Sequence, residues 1–129
     1  MVFDHNLGIE KKYKYWLNIL MSLNAEEKSA LKAFKKALEN NLGKRLIELK
    51  LFGSKARGDD NPSSDLDVLS VVADEDWKLS DTVYGIATDV LLETGICISP
   101  KVISQKRLEK LSQEESSFVR NIEKDAISV

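Results

Sequence analysis

The 129 residues contain a single cysteine, a single histidine and only two prolines. With Cys97 alone there can be no internal disulfide and no CxxC metal or redox pair, so a reducing, cytoplasmic setting is expected. With His5 alone, near the start of the chain, mechanisms built on a histidine base or on clustered zinc-binding imidazoles are disfavoured. Long apolar runs are missing as well. The longest, around Val68 to Ala73, is broken by Ser70 and falls far short of the ~20 residues of a membrane span. The first twenty residues mix Asp4, Glu10, Lys11, Lys12 and Lys14 with apolar positions, so no export signal is expected. Nor is there an excess of either charge: 19 basic against 21 acidic residues leave a net charge of -2, too balanced for a general polyanion-binding surface. Chemistry must therefore rest on carboxylates, and phosphate binding must be local.

A composition of 43% hydrophobic and 31% charged residues fits one globular domain over residues 1–129. Its expected parts are N-terminal helices over 9–42 and a core over about 44–127. Residues 9–22 alternate apolar and charged at helical spacing, and Tyr13, Tyr15, Trp16, Leu17, Leu20 and Leu23 give this early helix an apolar face for its own domain or for a partner. Asn24 and Glu27 have capping-box spacing for a helix to about Asn41, closed by Gly43. Leu46–Phe52 alternates like a strand and stops at Gly53, and Leu66–Ala73 is a second strand beyond a loop of G-D-D-N-P-S-S. Ser80 is the expected cap of a helix to about Thr94 that buries Val83, Ile86, Ala87, Val90 and Leu91, with Gly95 as its stop. Ile96–Ile103 is a third strand, with Pro100 marking a bulge or an edge. Ser104 opens a final helical region with a second capping box at Ser112 and Glu115. The implied fold is α/β (α+β): a small mixed sheet of three or more strands with helices packed on one face.

The informative stretch is Leu51–Val72. Gly53 and Ser54 directly follow a strand, where glycine lets backbone N–H groups approach an anion and the hydroxyl adds a donor. Asp65 and Asp67, two apart at the start of a strand, share one face while Leu66 and Val68 point into the core. Two hard carboxylates converging in this way suit Mg²⁺, whose remaining positions are filled by water and substrate phosphates. A glycine-serine turn or an Asp-x-Asp pair is common by itself. The combination is rarer, because like charges side by side on an apolar strand are unfavourable without a cation. Lys55 and Arg57 follow the turn as candidate phosphate contacts, Arg57 being the stronger. The local basic cluster of Lys44, Arg45, Lys50, Lys55 and Arg57 has no interleaved aromatics, which points to a nucleotide rather than to nucleic acid.

The segment G-S-K-A-R-G from Gly53 to Gly58, followed by S-D-L-D-V from Ser64 to Val68, resembles the nucleotidyltransferase superfamily related to DNA polymerase β. Within it, the sequence looks like the minimal nucleotidyltransferases (MNT), which are usually paired with a HEPN-domain protein in toxin–antitoxin modules. The ending F-V-R-N-I-E-K-D-A-I, Phe118–Ile127, is also similar to that group. The resemblance implies that Asp65 and Asp67 bind two Mg²⁺ ions and that Gly53 and Ser54 hold the distal phosphates of ATP or another nucleoside triphosphate. It also implies transfer of a nucleoside monophosphate, AMP above all, to a hydroxyl on a partner protein. A HEPN-domain protein is the implied partner, with self-association as the other form of assembly.

The family pattern adds a third carboxylate on the next strand, whereas here I-C-I-S-P-K-V-I has none. Alternation assigns Cys97, Ser99 and Lys101 to the face of the Asp pair, although Cys97 on its own reads as a small buried apolar residue. Asp89 and Glu93, the nearest other carboxylates, fall on a helix and are expected to face solvent. The gap leaves two readings: a transferase whose third ligand comes from elsewhere, or a catalytically weak nucleotide- or partner-binding module of the same fold.

Overall fold

The structure, a computed structural model, describes residues 23–56 and 65–129. The expected helix over 9–22 and the candidate phosphate contact Arg57 lie outside them. Asn24 and Glu27 form the expected capping box: the Asn24 side chain accepts the Glu27 N–H at 2.8 Å, and Glu27 Oε1 accepts the Asn24 N–H at 3.1 Å. Helix α1 then runs Ala25–Leu42 and closes at Gly43, whose φ of 55° is open to glycine at little cost. A single 3₁₀ turn, Gly43–Arg45, leads into β1, Leu46–Phe52. A one-turn helix, α2 (Gly53–Ala56), follows without a break. Strand β2 is Leu66–Val72, helix α3 is Trp77–Thr94 and strand β3 is Ile98–Ser104. Helices α4 (Gln105–Gln113) and α5 (Ser117–Asp125) and a short strand β4 (Ile127–Ser128) complete the described chain.

The sheet order is β3-β2-β1-β4. β1 and β2 are antiparallel, β2 and β3 parallel, and β4 lies antiparallel to β1 on its outer side. Pro100 thus sits in an edge strand, where its missing N–H does least harm. Period-two alternation divides β2 between two cores. Leu66, Val68 and Val72 pack with Leu49, Leu51 and Ile98 under α1 and α3. Leu69 and Val71 pack with Ile103, Ile122, Leu108 and Leu111, from β3, α5 and α4, on the other side. The long helices cover one face as expected, and the short C-terminal helices add a smaller layer on the second.

Three boundaries and one burial differ from expectation. Helix α3 begins one turn early because Asp76 accepts the Lys78 N–H at 2.9 Å, so Ser80 lies inside the helix and Leu79 joins the core. Leu91 stays 40% exposed while Val83, Ile86, Ala87 and Val90 are buried. The Ser112–Glu115 pair forms no capping box: α4 ends at Gln113, and Glu115 takes a positive φ of 54° in the turn before α5. Ser104 does cap α4, accepting the Arg107 N–H at 3.1 Å, but β3 begins at Ile98 rather than Ile96.

Candidate active site

The end of β1 and the start of β2 bring the motif residues together. Phe52 and Asp67 are register partners, so the chain leaves β1 at Gly53 right beside the Asp67 side chain. Gly53 has φ 78°, and a Cβ built on it would overlap the Asp67 carboxylate, lying 3.0 Å from its Cγ and 3.2 Å from its Cβ. The Gly53–Ser54 backbone and Asp67 are therefore one contiguous surface. Asp65 is exposed just ahead of β2, and Asp67 is half-buried on the face it shares with Leu69 and Val71.

Strand β3 contributes the third side. Parallel register sets Ser99 beside Asp67 and Lys101 beside Leu69, all on this face. Cys97 is exposed, which corrects its reading as a buried apolar residue and agrees with its alternative placement on the site face. Its carbonyl accepts the Leu66 N–H at 3.0 Å, and its thiol hydrogen-bonds Asp65. The thiol is pushed above its ordinary pKa, first by partial desolvation, then by the bond to Asp65 and by the negative charge of Asp65 and Asp67. Asp89 and Glu93 are exposed on α3, a helix that packs on the opposite face of the sheet. They do not complete the site. Among the described residues, no group of three or more His, Cys, Asp and Glu side chains is gathered to hold a metal ion.

Lys55 takes an unexpected place. Its ammonium pairs with Glu27 Oε2 at 2.9 Å, and the two side chains are only 6% and 7% exposed. The second carboxylate oxygen of the capping-box glutamate thus reaches across to the turn. Local spacing identified the capping box, but nothing in the sequence tied it to a residue 28 positions later. A cavity of about 430 Å³ elsewhere, lined by Asp74, Glu75, Asp76, Trp77, Ser104 and Arg107, lies at the far ends of β2 and β3. Asp67 and Val72, at that cavity, are five residue steps apart along β2, roughly 17 Å. Its three carboxylates make it a poor match for a triphosphate.

Residues 31–127, more than half the chain, match the family model described as a nucleotidyltransferase domain. Two proteins of Methanocaldococcus jannaschii, each named a "putative protein adenylyltransferase", are similar to it. One is 38% identical over 96 residues, 74% of this chain and 90% of the relative; the other is 34% identical over 100 residues, 77% and 94%. A crystal structure titled as that of a "putative nucleotidyltransferase" from Sulfolobus solfataricus aligns with a TM-score of 0.43 and 18% identity, covering 82% of this chain and 86% of that one. No described helix is long and apolar enough to cross a membrane.

Proposed function

Because the chain belongs to the nucleotidyltransferase domain family, we propose that it moves AMP from ATP to a hydroxyl group on a partner protein. The observation that carries this reading is the contact between Gly53 and Asp67. It makes the backbone suited to phosphate oxygens continuous with a carboxylate suited to a divalent ion. Gly53 and Ser54 receive the β- and γ-phosphates, Arg57 adds charge from the segment that follows, and Asp65 and Asp67 hold two Mg²⁺ ions. The donor set fits, since Mg²⁺ takes one or two carboxylates and completes its shell with water and substrate oxygens. When bound, the ions would lower the pKa of the attacking hydroxyl and offset charge on the leaving group. The hydroxyl oxygen forms a bond to the α-phosphorus, the bond from that phosphorus to the bridging oxygen breaks, pyrophosphate departs, and the hydroxyl proton passes to solvent.

A HEPN-domain protein in a two-component cytoplasmic module is the partner we propose, on the resemblance of G-S-K-A-R-G and S-D-L-D-V to the MNT group. The M. jannaschii relatives, by their names, support protein as the acceptor. The second reading, a weakly catalytic binding module, draws on one observation: Cys97, the residue just ahead of β3, stands beside Asp65 where the family pattern calls for a carboxylate.

The test uses ATP labelled at the α- or γ-phosphate, Mg²⁺, and a candidate HEPN-domain partner or a lysate of the source cell as acceptor. Transfer of α-label alone to protein, abolished by EDTA, is the expected result. Transfer of γ-label would show a kinase instead, and ATP binding without any transfer would favour the binding module.

A further inference from the structure

We propose that Lys55 and Glu27 act as a strut that positions the Gly53–Ser54 turn for the triphosphate, with Lys55 acting through the backbone and not as a phosphate ligand. The inference rests on the nucleotide reading of the turn and adds a positioning pair to it.

Both Glu27 oxygens are engaged, Oε1 by the Asn24 N–H at 3.1 Å and Oε2 by the Lys55 ammonium at 2.9 Å. Glu27 is itself held from the other side, its N–H donated to Asn24 Oδ1 at 2.8 Å. The helix that carries it is fixed in the core by Ala30, Phe34 and Leu38, each fully buried. One end of the strut is therefore rigid. The other end is the third residue of α2, a single helical turn entered at positive φ through Gly53. So short a helix has almost no internal hydrogen bonds to set its direction, and a tether to a rigid partner supplies what it lacks.

Lysine normally keeps its ammonium in water at the end of a flexible stem. Here the ammonium is 6% exposed. Reaching a phosphate would strip Glu27 of its partner and leave a buried carboxylate uncompensated, a strongly unfavourable state. Lys55 is thus already committed, and its contribution to nucleotide binding passes through the position of Gly53 and Ser54.

The experiment is a double-mutant cycle on the full chain, reading the Kd for Mg·ATP by calorimetry beside thermal melting. Lys55→Met and Glu27→Gln should each weaken Mg·ATP about tenfold. The double variant, which leaves no buried charge at the pair, should be weakened by about the same tenfold as either alone and not by the product of the two. Lys55→Arg, which preserves the ion pair, should restore most of the affinity. Mn²⁺ binding without nucleotide should change little throughout, since the Asp pair does not depend on the strut. A direct phosphate contact would show differently: Glu27→Gln would free the ammonium and keep or tighten binding while Lys55→Met weakened it. That result overturns the proposal, as does a folded double variant with wild-type affinity. If wild-type protein binds no Mg·ATP at all, the nucleotide reading fails first and the strut falls with it.

Discussion

Gly53 lies against Asp67 so closely that a methyl group at position 53 would occupy the space of the carboxylate. Gly95, which closes α3, has nearly the same φ, 76° against 78°, yet an added Cβ there meets nothing within 4 Å. The two glycines separate backbone strain from steric conflict. Gly95→Ala should cost only the positive-φ penalty, about 1–2 kcal/mol. Gly53→Ala should cost that and more, and adding Asp67→Ala should recover the difference. Equal losses in melting temperature for the two single variants would contradict the contact.

Ser70 is fully buried in β2, and its hydroxyl has no hydrogen-bond partner among the described residues. It faces the larger core, in register with Leu49 and Val102. An unsatisfied buried hydroxyl is unfavourable, so Ser70→Ala should raise stability by roughly 1 kcal/mol. Denaturant melts would show this as a higher midpoint at unchanged slope; a loss would mean that the hydroxyl has a partner.

The Cys97 thiol is held above its ordinary pKa partly by Asp65. A raised pKa means less thiolate at any given pH, and therefore slower alkylation. Rates of iodoacetamide labelling against pH should rise later for the wild type than for an unstructured cysteine peptide. Asp65→Asn removes the anion and should move the profile to lower pH. An unchanged profile would separate the two side chains.

Cys97→Asp would place a third carboxylate beside Asp65 and Asp67. Like charges at such spacing repel, so the variant should melt at lower temperature than wild type in EDTA. The same three charges should raise Mn²⁺ affinity measured by calorimetry, and metal should then restore the melting temperature. A variant that loses stability and gains no metal affinity would show that residue 97 does not face the site.

Much of the fold was legible because its signals are local. L-I-E-L-K-L-F alternates over the full length of β1 and stops at a glycine, and Asn24 with Glu27 marks the start of α1 within four residues. Alternation also put Ser99 and Lys101 on the face of Asp67, as the parallel register does. Non-local features were not legible. β4 is two residues long, too short for a periodic signal, and exists because Ile127 and Ser128 pair with Leu51 and Lys50. Asp76 and Ser80 both suit a helix start, and burial of Leu79 favours the earlier one. Ser112 and Glu115 have capping spacing, but the chain turns between α4 and α5 at that point. Lys55 looked like a phosphate ligand because it follows Gly-Ser; its partner Glu27 lies on another helix and became visible only once the two were packed.

The central claim is that Asp65 and Asp67 make nucleotide binding depend on a divalent ion, and calorimetric titration of ATP tests it most directly. A triphosphate beside two carboxylates is repelled when no divalent ion lies between them, so wild type should bind ATP in Mg²⁺ and lose that binding in EDTA. Asp65→Asn/Asp67→Asn should fold normally and no longer gain affinity from Mg²⁺. Equal binding by the wild type and the double variant in Mg²⁺, or binding indifferent to EDTA, would contradict the account.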